Sequence, residues 1–278
     1  MNHTLFLDGI GIFAPGIPDW PTASNLLRTK KPLQQISDEL SGGSLPAYPS
    51  DSLLPQAERR RAADSVRLAL EAARQACQHA QIDLDLPATI FASSSGDTHV
   101  LSNICETLAG ADRQLSPTRF HNSVHNAAAG YWHIAVKSHQ PSTSIAWHHH
   151  TAGSGLLEAA TQIATGNAPV LLVIYDMPFP FPLAHTESIP HAFGCALLLQ
   201  PAITDQSLAQ LTWQYDATNQ PSHHDASATL RTNTPAAHIL PLLHVLARER
   251  AGTLSMAVPA QGRLIFDVSP LRHTGGST

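Results

Sequence analysis

The chain has 278 residues, which is enough for one large domain with a sizeable core. Charged residues make up only 13% of it, against ~25% in a typical soluble domain, and the net charge is −5 with the histidines neutral. This composition gives no basic footprint for nucleic acid, and no stretch approaches the ~20 continuous apolar residues of a membrane span.

The scarcity of charge has two interpretations. Either a protein partner covers part of the surface, or the surface is polar without charge because the chain is rich in Ser, Thr, Gln, His and Pro. Cys77, Cys105 and Cys195 are far apart and odd in number, which indicates reduced thiols rather than a disulfide framework. The N-terminus does not read as a signal peptide, so the sequence predicts a soluble, cytoplasmic protein.

The first part of the chain predicts strands alternating with helices. Leu5–Phe13 predicts a strand, whereas the Pro-, Gly- and Ser-rich stretch Lys30–Pro55 predicts an irregular surface segment. Glu58–Ala80 has Ala, Leu and Val at helical spacing and predicts one amphipathic helix. Ala88–Ser95 predicts a buried strand, and a short helix is expected over Asn103–Ala109.

The middle of the chain has the pattern that usually presents a nucleophile. After a helix over Asn126–Val136, a buried strand is expected at Ser142–Trp147. The small residues Thr151–Gly155 then predict a tight turn, and Leu156–Thr165 predicts a helix. Such a turn aims one side chain and free backbone N–H groups at a substrate, yet the segment Ser116–Glu158 contains no cysteine.

The last part of the chain predicts a central strand and further layers. Val170–Tyr175 is continuously apolar, as expected of a strand covered on both faces, and a proline-punctuated loop follows at Phe179–Ile189. The other expected elements are strands at Ala192–Leu199, Leu208–Tyr215, Thr253–Val258 and Arg263–Val268, and a helix at Pro235–Arg250. This alternation predicts a layered α/β domain.

Five segments, taken in order, resemble one known family. They are ATIFASSSGD, SPTRFHNSVHNAAAG, QPSTSIA, LLEAATQIATGNAPVLLVIYD and HAFGCALLLQP. Over Thr4–Pro201 they resemble the N-terminal half of a β-ketoacyl synthase of the thiolase fold. The resemblance implies an α/β, thiolase-like fold, namely one layered half with a mixed central sheet covered by helices. It also implies a single ketosynthase-like domain over residues 1–278, in which 202–278 form an extra strand–helix–strand–strand segment packed on 1–201.

Two departures from the family remove its chemistry. Ketosynthases carry a catalytic cysteine in the elbow between the strand and the helix. Here, counting forward from Ser144 places that position on His149, and counting back from Gly155 places it on Ala152. The family's second half, which supplies two catalytic histidines, is absent, and His273-Thr274-Gly275 echoes one of its motifs by chance. The resemblance therefore implies no catalytic residue and no cofactor.

The resemblance extends to short, cysteine-less ketosynthase-like proteins with a chain-length-factor role in polyene or polyketide synthesis. FHNSVHNAAAGYW and LLEAATQ are typical of those associated with aryl polyenes. Such a subunit pairs with a full-length β-ketoacyl synthase and shapes its acyl tunnel. The implied partners are that enzyme, an acyl carrier protein and, for the chain alone, a second copy. The residues expected at the partner interface or tunnel are Phe120, His121, Asn122, His125, Ile145, Trp147 and His148.

Several of these residues also have simpler interpretations. Arg59, Arg60 and Arg61 are expected to dock an acidic carrier protein, or else they are a solvated helix end. The polar group from His121 to Asn126 either contacts the partner or caps a helix. Trp132 and Trp147 either pack in the core or block an acyl channel.

Other functions remain open. His148-His149-His150 invites a metal site, but successive side chains diverge and a structural zinc needs four ligands, so we expect a polar plug and no metal. An independent acyltransferase or hydrolase would use Ser154 or one of these histidines, although Ser154 lacks the GxSxG context. A carrier-protein-binding module is the third possibility. His223-His224-Asp225 is expected to be an exposed turn.

Overall fold

The computed structural model describes residues 3–49, 53–185, 188–217, 230, 232–260 and 262–271. Eight strands occur in this part of the chain: β1 (His3–Phe13), β2 (Ala88–Ala92), β3 (Ser142–Ile145), β4 (Val170–Asp176), β5 (Phe193–Gln200), β6 (Ala209–Asp216), β7 (Gly252–Ala257) and β8 (Arg263–Pro270). The α-helices there are α1 (Trp20–Arg28), α2 (Leu33–Ser41), α3 (Gln56–Arg61), α4 (Asp64–His79), α5 (Thr98–Ala109), α6 (Pro117–Asn122), α7 (Ala127–Val136), α8 (Thr151–Gly166) and α9 (Leu240–Ala247).

The strands form one mixed sheet in the order β3-β2-β4-β5-β1-β6-β8-β7. β2 pairs in parallel with β3 and β4, and all the other pairs are antiparallel. Apolar residues on one face of the sheet pack against α4 and α7, whereas those on the other face pack against α1, α2, α8 and α9. The predicted α/β fold, a mixed sheet covered by helices, is therefore confirmed.

The C-terminal segment continues this sheet and also contacts its helices. β6 pairs with β1 from His3 to Leu7, and β8 and β7 follow at the far edge. β7 ends against the first turn of α8. A methyl group added at Gly153 would overlap the Ala257 carbonyl oxygen, so this close approach requires glycine.

Four expectations about the elements were wrong in part. The segment Lys30–Pro55 contains α2, whose Ile36 and Leu40 are buried in the core. The single helix expected over Glu58–Ala80 is two helices, because the chain is extended at Ala62 and the Asn122 side chain donates to the Arg61 carbonyl.

The other two corrections concern the strand and the turn after it. β3 was expected to be buried, but it is the edge strand of the sheet and is only half covered. Thr151–Gly155 was expected to be a turn, but it is the start of α8. Its glycines disfavour a helix by propensity, yet packing requires them, since a side chain at Gly155 would crowd Leu172 and Ala92.

Two expectations lie outside the described residues, namely those for His223-His224-Asp225 and for His273-Thr274-Gly275. Within the described ranges, no helix has both the length and the apolar composition needed to cross a bilayer.

Candidate functional site

The connection from β3 to α8 is a short exposed turn. His148–His150 form one turn of 3₁₀ helix, called here the histidine turn, and α8 begins at Thr151. The Thr151 hydroxyl accepts from the Trp147 backbone N–H at 2.9 Å and donates to the His148 carbonyl at 2.7 Å. His148 has a φ of +44°, so the backbone strain of the turn falls on it.

The two positions expected to replace the nucleophile differ in environment. Ala152 is fully buried within α8 and faces the core. His149 is exposed, and its ring stacks on that of His238 with centroids 6.5 Å apart. Of the two, only His149 borders open space.

That space is a polar cavity of about 410 Å³. His238 lies in a second 3₁₀ turn, Pro235–Ile239, and its Nε2–H donates to the Thr232 carbonyl at 3.1 Å. The cavity is lined by Ser37, Asp38, Ser41, His149, Pro190, Leu230, Thr232, Asn233 and His238.

Three histidines near this cavity, His150, His238 and His191, have lowered pKa values. Burial lowers the pKa of His150, and the neighbouring His149 lowers it further. Burial also lowers the pKa of His238, while its bond to the Thr232 carbonyl opposes that shift. Behind the cavity wall, burial lowers the pKa of His191 to about 4, and its Nδ1 lies 3.2 Å from the Ser41 hydroxyl. These rings are therefore mostly neutral at pH 7.

No activated nucleophile occurs at the turn within the described residues. Cys77 and Cys195 are buried, and burial raises the pKa of the Cys77 thiol to about 12 and that of Cys195 as well. Cys105 is exposed, but it lies on α5. The Ser154 hydroxyl is buried and has neither a hydrogen-bond partner nor a general base among the described residues. Nor do three His, Cys, Asp or Glu side chains in the described ranges converge as metal ligands.

A buried carboxylate joins the site to the C-terminal segment. Asp176, at the end of β4, accepts hydrogen bonds from the Ser94 N–H at 2.8 Å and the Ser94 hydroxyl at 2.7 Å, and from the more distant Ser93 hydroxyl. Its other oxygen accepts from the Ala236 N–H at 2.8 Å. Burial raises its pKa to about 6, although these four donors oppose the shift. Asp176 thus connects the loop before α5 to the turn that carries His238.

β3 offers an open sheet edge next to this turn. The Thr89 N–H donates to the Pro141 carbonyl, and the Ser93 N–H donates to the Ile145 carbonyl. Since alternate residues of a parallel strand face opposite neighbours, the backbone groups of Ser142 and Ser144 point outward. The sheet ends there in the described part of the chain, so these groups are available for a further strand.

The residues expected at the interface fall into two groups. Ile145, Trp147 and His148 lie together at the end of β3 and in the turn. Trp147 is 53% exposed, so core packing is wrong for it, whereas Trp132 is fully buried in the core.

The second group lies around α6. Phe120 is 61% exposed, and His121 meets the ring of Tyr131 edge-on. Asn122 is buried and bonded to α3, and His125 Nε2 lies 2.8 Å from the Ser93 carbonyl. Asn122 and His125 therefore act within the fold, and Phe120 faces outward.

Exposed apolar side chains are concentrated in the same part of the chain. Of the large hydrophobic residues that are well exposed, most belong to the stretch from α5 to the histidine turn. They are Leu101, Leu108, Phe120, Val124, Ile134 and Trp147. Exposed apolar side chains that form a contiguous patch are typical of a protein interface.

The arginine cluster lies at the end of α3. Arg61 pairs with Glu58 at 3.7 Å, and the Arg59 carbonyl accepts from Arg67. Arg60 is exposed and forms no ion pair within the described residues. The bond from Asn122 to Arg61 brings α6, with Arg119, against this cluster.

Some residues at the site were not predicted from sequence patterns. His238 was predicted only as part of a helix, and Ser37, Asp38 and Ser41 lie on α2, which was not expected. The spacing of Leu33, Ile36 and Leu40 is the signal that predicts α2.

The chain is similar to one protein family. Residues 37–260 match the family model described as "Beta-ketoacyl synthase, N-terminal domain", which extends past Pro201, the expected end of the resemblance. No match was found among curated proteins.

Solved structures show the same fold. One is the ketosynthase ApeO in complex with its chain length factor ApeC from Xenorhabdus doucetiae, with a TM-score of 0.69 and 22% identity over 95% of this chain and 99% of that one. Another is the ishigamide ketosynthase/chain length factor, with a TM-score of 0.71 and 13% identity over 97% and 100%. A β-ketoacyl synthase from Burkholderia phymatum STM815 has a TM-score of 0.68 and 10% identity over 98% and 100%. At these identities the likeness shows a thiolase-like fold.

Proposed function

The chain belongs to the β-ketoacyl synthase N-terminal domain family, and on that premise we propose that it is a chain-length-factor-like subunit. It forms a heterodimer with a full-length, active β-ketoacyl synthase and shapes that enzyme's acyl tunnel. It is non-catalytic, and its pathway is the synthesis of a polyene of the aryl polyene type. Two of the similar structures are of ketosynthases with chain length factors, which supports this choice.

The observation that carries the proposal is the open edge of β3 beside exposed apolar side chains. The outward backbone groups of Ser142 and Ser144 are a template for a partner strand, and Trp147, just after that strand, is an exposed aromatic anchor. The turn that would hold a nucleophile carries His148, His149 and His150, and its sequence contains no cysteine. The chain therefore has the surface for pairing and lacks the group for acyl transfer.

We also propose that residues 1–278 act as a single domain. β6 pairs with β1, and residues of β6, β7 and β8 share one core with the N-terminal strands. The approach of Ala257 to Gly153 covers the first turn of α8. These contacts support the proposal that 202–278 packs on 1–201 as part of the same domain.

Co-expression with a full-length β-ketoacyl synthase from the same gene cluster tests the pairing. We expect a stable 1:1 complex by light scattering, and its loss in Ser144→Pro, which removes an outward N–H donor without touching the bonds to β2. A well-folded chain that stays monomeric beside the ketosynthase would contradict the proposal. Self-association of the chain alone would not, since one edge can pair with its own copy.

The absence of catalysis has its own test. Incubation of the isolated chain with an activated acyl thioester should leave no covalent acyl group on it by intact mass spectrometry. An acyl adduct that disappears in Ser154→Ala would instead support the independent acyltransferase or hydrolase.

A carrier-protein contact is a second function that one observation favours. Arg59, Arg60, Arg61 and Arg119 lie on two connected helices, α3 and α6, and an acidic carrier protein is complementary to them. Because Arg60 forms no ion pair within the described ranges, Arg60→Glu changes the charge without breaking a contact. We expect this variant to weaken carrier-protein binding and its salt dependence. Arg250→Glu, at an exposed site beyond α9, is the matched control.

A further inference from the structure

A groove runs beside the open edge of β3, under one face of α7. α7 packs against β2 and β3 and buries Tyr131 and Trp132 on its inner face. Asn126, Gly130 and Ile134 follow one another at spacings of four, so they share its outer face. Ile134 is 55% exposed, and a Cβ added at Gly130 would meet nothing within 4 Å.

The groove has a volume of about 290 Å³ and a polar lining. It is lined by Asn126, Ala129, Gly130, His133, Ser142 and Ser144. The Asn126 amide and the Ser144 hydroxyl form no hydrogen bond within the described part of the chain, whereas both ring nitrogens of His133 lie within hydrogen-bonding distance of a partner. The floor is thus formed by small residues, and unused hydrogen-bonding groups face the opening.

The geometry of a sheet that continues from β3 into the partner determines which element of the partner would lie over this groove. A partner strand paired with β3 lies about 4.8 Å from it. α7 covers β2 and β3, and its axis therefore lies about one strand spacing from the line midway between β3 and the partner strand. A helix that covers the partner's strands in the same way therefore lies about 10 Å from α7, within the usual range for packed helices, about 8–10 Å. At that distance the two helices are in direct contact.

We propose that the groove receives one helix of the ketosynthase partner, the helix that occupies the place of α7 in that chain. Gly130 lies at the closest approach, Ile134 contacts an apolar side chain of that helix, and Asn126 and Ser144 bind a hydrogen-bonding one. In the part of the chain that the structure describes, no Asp, Glu, Lys or Arg lines the groove, so the matching side chain is neutral. This inference rests on the proposed pairing at β3 and identifies a second element of the interface.

Two glycine substitutions test the groove directly. Gly130→Leu fills it, and Gly166→Leu is the matched control, since both glycines have open space beside them and neither has a left-handed φ. We expect Gly130→Leu to weaken binding to the co-expressed ketosynthase at least tenfold, and Gly166→Leu to leave it unchanged. Gly130→Ala, which adds only a methyl group, should give a smaller loss in the same direction.

The outcomes separate this inference from the proposed function. Wild-type binding by Gly130→Leu together with lost binding by Ser144→Pro would overturn the groove and leave the strand pairing intact. Failure of the wild-type chain to bind any ketosynthase would overturn the proposed function itself. Thermal unfolding of each variant shows whether a loss of binding reflects a loss of fold.

Discussion

His149 and His238 stack with their ring centroids 6.5 Å apart and their planes inclined by 23°. The pair joins the histidine turn to the C-terminal segment. Neither ring forms an ion pair within the described residues, so protonating both places two positive charges against each other. This arrangement predicts that acid destabilises the site.

The sign of the pH dependence follows from the lowered pKa of His238. In the unfolded chain a histidine titrates near pH 6.5, so on acidification the unfolded state takes up the proton first. The contribution of His238 to the free energy of unfolding is therefore complete above about pH 6.5, and it decreases as the pH falls below that value. His191, with a pKa of about 4, acts in the same direction. Asp176 acts in the opposite one, since its pKa is raised to about 6 and folding favours its protonated form as the pH falls.

Replacement of His238 isolates its contribution to the pH dependence of the free energy of unfolding. In His238→Gln the amide N–H can still donate to the Thr232 carbonyl, but the titrating group is gone. We expect urea unfolding at pH 7, 6 and 5 to show a shallower loss of stability than in the wild type. His139→Gln, at an exposed histidine, is the control and should keep the wild-type slope. Identical slopes for His238→Gln and the wild type would mean that folding does not change the pKa of His238 and would contradict the prediction.

The contact between α8 and β7 predicts that replacing Gly153 with any larger residue destabilises the fold. Gly153→Ala forces its methyl group onto the Ala257 carbonyl, which neither backbone can avoid without moving. We expect a loss of about 1–3 kcal/mol in the free energy of unfolding, as for other overpacked positions. Gly166→Ala is the control: its methyl group points into open space, and the change should be neutral or slightly stabilising.

Sequence patterns predict this fold well where a single periodicity dominates. β4 was predicted to within one residue, because a continuous apolar run has few alternatives to a central strand. α2 was missed because Pro, Gly and Ser around it outweighed a weak helical spacing. The first turn of α8 was missed for a different reason, since Gly153 and Gly155 are selected by packing against strands distant in sequence.

The site was less predictable than the fold. The position of His149 followed from counting along the resemblance, but its stacking partner His238 lies in an element far along the chain. Likewise, the sequence predicted β3 but not that it is an edge, because its polar and apolar residues do not distinguish a half-covered strand from a buried one. Long-range contacts of this kind depend on topology, which a local pattern does not contain.

The hydrogen bonds to Asp176 predict that its two acceptor oxygens contribute more to the stability of the fold than its charge does. In Asp176→Asn, the amide nitrogen would face the Ala236 N–H, since the other oxygen already accepts three bonds. A buried donor without an acceptor should lower the free energy of unfolding by about 1–3 kcal/mol at pH 8. The difference should widen at pH 5, because protonation of a carboxyl with a raised pKa then stabilises the folded wild type and the amide does not titrate. Asp205→Asn, at an exposed aspartate, should match the wild type in the same chemical denaturation series.

The exposure of Trp147 predicts a variant that separates binding from stability. Trp147→Ala should change the free energy of unfolding by no more than about 0.5 kcal/mol, because more than half of the side chain is already in water. It should weaken the ketosynthase complex by about 2 kcal/mol, roughly thirtyfold, as expected for a buried aromatic anchor. Phe181→Ala removes an aromatic ring that is 77% exposed and lies outside the proposed interface, so it should bind normally. Equal affinities for the two variants would remove Trp147 from the interface.

The three thiols predict a footprint of the partner on α5. Cys77 and Cys195 are buried with raised pKa values, whereas Cys105 is exposed between Leu101 and Leu108 on the outer face of α5. Iodoacetamide at pH 8 should therefore alkylate one cysteine per folded chain, and Cys105→Ser should abolish that fast reaction. If α5 belongs to the interface, a saturating amount of ketosynthase should slow the labelling of Cys105 at least tenfold by peptide mass spectrometry. An unchanged rate in a complex that is otherwise intact would place α5 outside the interface and restrict it to β3, α7 and the histidine turn.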